Sequence, residues 1–344
     1  MSGDNSGNFA MHEAETNEDS RVPGGSSHPG DRPESLIEGP KIVFPPPEDR
    51  LSKLLLDSDG LRPIWRLLLY LAMSRVLYLL LEWVMYYVGQ SDLPELWLDM
   101  LSEFAFLLAA FIPALIMARL EGRSLASYGL PGRGAFRKLF WGGAVWGIAA
   151  LTVLMLTLHV AGVFSVTRVA LHGTRVLKLA AFWGAFFLIV AFAEEFLLRG
   201  YSQFTLAQAV GFWPAAAVLS VGFGAIHLLN PGEAWNGIVA ATAIGLFFCL
   251  TLQRTGSLWF AVGFHAAWDW GESYLYSVPD SGQIFPGHLL KSSLHGSPWL
   301  TGGSVGPEGS VLIFILLALL WLLFGRVYPP LKRDHDSSDR IIVA

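Results

Sequence analysis

The chain has 344 residues, 53% of them hydrophobic and 15% charged, and a mean hydropathy of +0.47. Soluble domains carry roughly 25% charged residues, so a water-soluble globule is excluded. The net charge of −5 collects in the first fifty residues and offers nothing to a nucleic acid. From Pro63 to the C-terminal region apolar runs of about 18 to 25 residues recur, each long enough to cross a bilayer as a helix. In lipid every backbone N–H and C=O must pair internally, and these runs are uniformly apolar rather than alternating, which favours helices over a barrel. The predicted fold class is all-α: a polytopic membrane protein of about eight transmembrane helices.

In chain order, residues 1–50 are rich in Gly, Ser, Pro, Asp and Glu and read as a disordered, acidic, cytoplasmic tail. No basic region precedes an apolar core there, so no cleaved signal peptide is expected. Residues 51–62 are Leu-rich and amphipathic, fitting a short helix at the membrane surface. The predicted spans are Pro63 to Val88, Leu96 to Ala118, Leu139 to Val163, Leu177 to Ala209, Pro214 to Leu229, Trp235 to Leu252, Leu258 to Val278 and Ser310 to Tyr328. Residues 63–176 thus hold spans one to three, 177–278 spans four to seven, and 310–344 the eighth span with a short basic tail. Arg50, Lys53 and Arg62 before span one, Arg119, Arg123, Arg133, Arg137 and Lys138 after span two, and Arg326, Lys332 and Arg333 after span eight mark cytoplasmic ends. Both termini are then cytoplasmic, although Arg168, Arg175 and Lys178 fall in a loop assigned to the outside. The long 279–309 connection also falls outside. Cys249, the lone cysteine, has no disulfide partner within the chain.

A charge at mid-bilayer costs at least roughly 2.5 kcal/mol, so each buried ionisable group needs a partner, a wet cavity or a task. Three motifs meet that test: Glu194-Glu195 with Arg199 in span four, Phe223 with His227 in span five, and His265 with Asp269 in span seven. If Gly211 to Pro214 is a tight turn between antiparallel helices, Glu194 lies about 25 Å before it and His227 about 21 Å after it at 1.5 Å per residue. They then face each other at similar depth. His265 and Asp269, four residues apart, share a helix face and enter the bilayer soon after Gly256. Glu194, His227, His265 and Asp269 are expected to converge in one cavity opening to the cytoplasm. Glu195 with Arg199 also reads as an ordinary intrahelical ion pair, and Glu103, about seven residues from the outer end of span two, as a residue that snorkels or makes an interhelical hydrogen bond.

Together, EExxxR at Glu194 to Arg199, FxxxH at Phe223 to His227 and HxxxD at His265 to Asp269 resemble the CPBP family of type II CAAX prenyl endopeptidases and Abi bacteriocin-processing proteins. The resemblance covers roughly Leu177 to Val278. One position departs: CAAX-processing members usually carry Asn where this chain has Asp269, which bears on prenyl-CAAX specificity more than on proteolysis. The resemblance implies an eight-helix bundle around a water-accessible cavity and an intramembrane endopeptidase acting on membrane proteins or peptides, prenylated or not.

Peptide hydrolysis needs an activated water, an acid for the leaving amine and a group to hold the oxyanion. On this resemblance Glu194 acts as general base on a water also held by His227, and His265 and Asp269 orient the peptide or stabilise the tetrahedral intermediate. An anionic Asp269 cannot donate as Asn would, so it orients His265 unless it is protonated. Glu195, Arg199 and Phe223 are supporting residues. No cofactor is required by this chemistry, although zinc or another divalent metal on His227, His265 and Glu194 is the alternative. Competing functions for the same residues are a transporter or proton relay and a non-catalytic immunity or scaffold protein of the same fold.

Overall fold

The computed structural model of the protein describes residues 49–57, 60–90, 92–230 and 234–330. The tail up to residue 48 and the chain from residue 331 onward lie outside the described residues. Helix α1 (Arg50–Leu55) begins where the Asp49 carboxylate accepts from the Ser52 N–H at 2.6 Å, satisfying one of the open amides of the first turn. It stops short of the predicted 51–62 segment. Leu56–Asp57 (β1) pairs antiparallel with Gly60–Leu61 (β2), and Gly60 sits at φ 108°, a backbone state open to glycine that no helix continues through.

Among the described residues eight helical rods follow, one per predicted span, with ends shifted by a few residues. They are α2 (Pro63–Val88), α3 (Glu95–Leu120), α4 (Lys138–Val160), α5 (Thr174–Glu195) continuing into α6 (Gln203–Val210), α7 (Phe212–Ile226), α8 (Trp235–Thr255), α9 (Trp259–Trp270) and α11 (Val311–Val327). A short α10 (Pro298–Thr301) precedes the last rod. Six rods, with α5 and α6 counted as one, are long and apolar enough to cross a bilayer, and α11 is apolar but shorter. The protein is an all-α, multi-pass integral membrane protein. Two of the rods are not plain α-helices. Between α5 and α6 the chain widens into a π turn over Phe196–Ser202, with Gly200 off helical geometry at φ −82°, ψ −114°. The seventh rod likewise ends in a π turn, Gly271–Tyr276. Such turns let a helix re-aim side chains without a break in the rod.

Side-chain and backbone contacts sort the connections into two ends of the bundle. Arg66 at the start of α2 donates to Glu121 after α3 at 3.0 Å and to Gln208 near the end of α6 at 2.6 Å. Glu121 also accepts from Tyr128 and Tyr201. The Leu258 N–H donates to the Gly129 carbonyl at 2.7 Å and Trp259 Nε1 to that of Pro131 at 3.1 Å, fastening the α8–α9 turn to the same end. At the other end β3 (Phe164–Val169) pairs antiparallel with β4 (Leu290–Leu294). The loop holding Arg168 and the long 279–309 connection therefore share a side, as an alternating set of passes requires.

The closest helix pair, α4 and α9, positions the site. A Cβ on Gly143 or Gly147 would overlap the carbonyl of Phe260 or Phe264, and one on Gly263 would overlap that of Phe140. In lipid, where apolar burial gives little drive, backbones in contact supply the packing that holds helices together. Phe247, Phe260, Phe264 and Phe324 fill the adjoining core. On the far side Phe111 of α3 stacks on Phe196 at 4.0 Å between ring centroids, supporting the first π turn.

Candidate active site

Adjacent helix residues point about 100° apart, and here that separates two carboxylates. Glu195 turns inward and its side chain is fully buried, whereas the Glu194 side chain is 26% exposed within the cavity. The π turn brings Arg199 back over Glu195, with Nη1 to Oε1 at 3.1 Å and neither side chain exposed. The guanidinium lies 4.5 Å from the centre of the Phe223 ring and 5.8 Å from that of Phe248, a cation–π setting that lowers the cost of burying it. Gly245 makes room: a Cβ there would overlap Arg199 Nη2. The predicted Glu195–Arg199 pair is thus present, in the protein interior rather than on a solvated face.

Glu195 does more than pair with Arg199. Its Oε1 is also 3.1 Å from His265 Nδ1. The other nitrogen of His265, Nε2, is 3.3 Å from Asp269 Oδ2 and 3.7 Å from Glu194 Oε2. Phe248 lies nearly parallel to the imidazole, 5.7 Å away between centroids. With carboxylates at both nitrogens, the arrangement is favourable when both ring nitrogens donate or when one of the facing carboxyls holds the proton. His227 is anchored separately. Its Nδ1 is 2.8 Å from the Phe223 carbonyl, and a carbonyl only accepts, so Nδ1 carries the proton and Nε2 is left as an acceptor. The Phe223 ring meets the imidazole edge-on at 4.6 Å.

Glu194, His227, His265 and Asp269 all line one cavity of about 650 Å³. Direct contacts join His265 to Glu194, Glu195 and Asp269, and His227 lines the same cavity, held by Phe223. Two expectations need correction. Glu103 lines this cavity with Glu194 rather than snorkelling away from the bundle. The cavity also extends toward Asp280, Ser281 and Glu308 of the 279–309 connection, not toward Gly256. The physical reason is packing: at the Gly256 end Leu258 and Trp259 are buried against Gly129 and Pro131 and close the bundle.

Four further ionisable residues belong to these surroundings and were not singled out by the sequence reading. Arg75, midway along α2, lines the cavity with its guanidinium over Tyr78, and a charge inside an apolar run was signal enough to find it. Glu272 is fully buried in the second π turn. Asp280 and Glu308 come from a loop that reads as solvated, and only folding brings them to the cavity. Burial, reinforced by the charges of Asp269 and Glu308, pushes the Asp280 carboxyl well above the ordinary carboxylate range.

A zinc site on His227, His265 and Glu194 fits poorly. Among the described residues, the possible ligand atoms that come within 4.8 Å of one another belong to Asp269, Asp280 and Glu308 rather than to that set.

Residues 176–271 match a family model described as "Type II CAAX prenyl endopeptidase Rce1-like". The matched stretch begins in α5 and ends one residue past α9, so it contains all three motifs. No curated protein and no solved structure matches the chain.

Proposed function

Proceeding from a chain that belongs, through residues 176–271, to the type II CAAX prenyl endopeptidase Rce1-like family of membrane proteases, we propose that it hydrolyses peptide bonds of membrane-associated proteins or peptides with a water activated by Glu194 and His227. The observation that carries this reading is the division of labour between the two adjacent glutamates. Glu195, buried and held by Arg199, fixes His265. Glu194 alone of the pair reaches the cavity.

The steps follow from these positions. A water between Glu194 and the acceptor Nε2 of His227 gives its proton to Glu194 as its oxygen attacks the scissile carbonyl. The oxyanion that forms takes a hydrogen bond from His265 Nε2–H, whose ring is oriented by Glu195 at one nitrogen and Asp269 at the other. Glu194 then returns the proton to the departing amine, so that water has been added across the C–N bond. No metal stands among the reacting groups in this proposal. Substrate enters the space between Glu103, Arg75 and the Glu194 carboxylate, and the family points to a membrane-tethered chain, prenylated or not.

Cleavage of a fluorogenic membrane-peptide library by the purified protein tests it. Glu194→Gln should lower kcat/KM by about 10²-fold or more, in the range that general acid–base groups contribute. Turnover in Glu194→Gln equal to wild type would overturn the reading.

A further inference from the structure

We propose, resting on the hydrolase reading above, that Arg75 of α2 determines specificity by binding a carboxylate of the peptide substrate, at the chain terminus or on an acidic side chain. Arg75 stands 12 residues after Pro63 and 13 before Val88, roughly 18 to 20 Å from either end of α2 at 1.5 Å per residue. Headgroups begin about 15 Å from the bilayer midplane, so an arginine midway along the span has no lipid phosphate within reach of its side chain.

A permanent charge at that depth needs a wet cavity or the bundle interior around it, and an anion beside it. Arg75 meets the first condition, lining the cavity with Ser74 and Tyr78 of the same helix. The second is left open. Among the described residues no carboxylate forms an ion pair with Arg75. Its contact is the Tyr78 ring, whose centre is 5.7 Å from the guanidinium carbon. Lying over a ring occupies the flat face of a guanidinium and leaves its N–H edge, the fork that holds a carboxylate by two bonds.

The other charges of the cavity decide what that fork can hold. Among the described residues Arg75 is the one arginine or lysine that lines the cavity, whereas Glu103, Glu194, Asp269, Asp280 and Glu308 line other parts of it. A substrate carboxylate is therefore repelled across most of the cavity and attracted at the α2 wall. Arg199 cannot compete for it, being fully buried and paired with Glu195, whereas Arg75 is exposed. Docking there orients the peptide and keeps its negative charge away from the water that Glu194 must deprotonate. Arg75 precedes the matched stretch 176–271, so the family match assigns it no role.

Three fluorescent apolar peptides test this on the full chain in detergent: one with a free C-terminal carboxylate and no other acid, its C-terminal amide, and the amide carrying one internal Glu. Binding is read by anisotropy on Glu194→Gln, which holds peptide without turning it over, and cleavage on wild type. The free acid, the internal-Glu amide or both should bind at least about tenfold tighter than the plain amide, and the same preference should appear in KM rather than kcat. Which of the two is preferred tells a terminal from a side-chain carboxylate. Adding Arg75→Gln should bring the preference to near one, and Arg75→Lys should keep part of it, as a point charge without the fork. Equal binding of all three peptides, or a preference that persists in Arg75→Gln, would overturn the proposal. If Arg75→Gln does not fold, the comparison of the peptides on Glu194→Gln alone decides. A carboxylate preference in binding with no cleavage by wild type would sink the hydrolase reading and keep the site. Cleavage of all three peptides alike would do the reverse.

Discussion

The two ends of the cavity handle buried carboxylates in opposite ways. At the π turn after α5, Glu195 has a guanidinium and an imidazole within 3.1 Å, and the guanidinium rests on two aromatic rings. At the loop end Asp269, Asp280 and Glu308 crowd together, with the His265 imidazole 3.3 Å from Asp269 and hydroxyl, amide and indole donors on the other two. The first end satisfies its charge within the chain. The second has fewer positive partners, and there burial and crowding push the Asp280 carboxyl well above the ordinary carboxylate range.

The largest effect that would sharpen this contrast comes from Glu195→Gln. It strands the Arg199 charge in the interior, and removing one partner of a buried pair costs about 3–5 kcal/mol. The thermal midpoint of the purified protein should therefore fall steeply, and cleavage with it as His265 loses its anchor. Glu194→Gln should leave the midpoint nearly unchanged. Equal midpoints for the two variants would erase the distinction drawn between the adjacent glutamates. Next in size is Gly245→Ala, which places a methyl against Arg199 Nη2. Overpacking of this kind costs about 1–3 kcal/mol, and cleavage should drop because Arg199 holds Glu195 and Glu195 holds His265. An unchanged midpoint and unchanged cleavage would mean the guanidinium has room to move.

Glu103→Gln is the smallest test. The side chain lines the cavity and, among the described residues, makes no hydrogen bond or ion pair with His265, so stability should change less than with Glu195→Gln or Gly245→Ala. Any effect on cleavage should appear in KM rather than kcat, read from full substrate titrations.

Much of this was legible in the residues. Six of the rods follow from length and apolarity, because a bilayer leaves a chain few ways to satisfy its backbone, and α9 and α11 are shorter. The tight reversal expected near Gly211 is there, with φ at 86° and α7 starting at Phe212. The gathering of Glu194, His227, His265 and Asp269 on one cavity was read from spacing and depth. Other features were not legible for specific reasons. A π turn adds one residue to a helical turn and leaves no periodic trace, so the Glu195–Arg199 pair is legible from its four-residue spacing while the π turn that follows Glu195 is not. Asp280 and Glu308 look like any loop acids until β3 pairs with β4 and the connection folds over the cavity.

The sequence by itself determined the solvent of the fold, the helices that cross it and the residue types that do the chemistry, since hydrophobicity, periodicity and the cost of buried charge are local properties of the chain. Tertiary structure alone decided which of two adjacent glutamates faces the cavity, toward which end of the bundle the cavity runs, and that Asp269 of α9 meets Asp280 and Glu308 of a distant loop. Those outcomes depend on helix rotation set by backbone contact at Gly143, Gly147 and Gly263, and on long-range pairing, neither of which is encoded in any short stretch of residues.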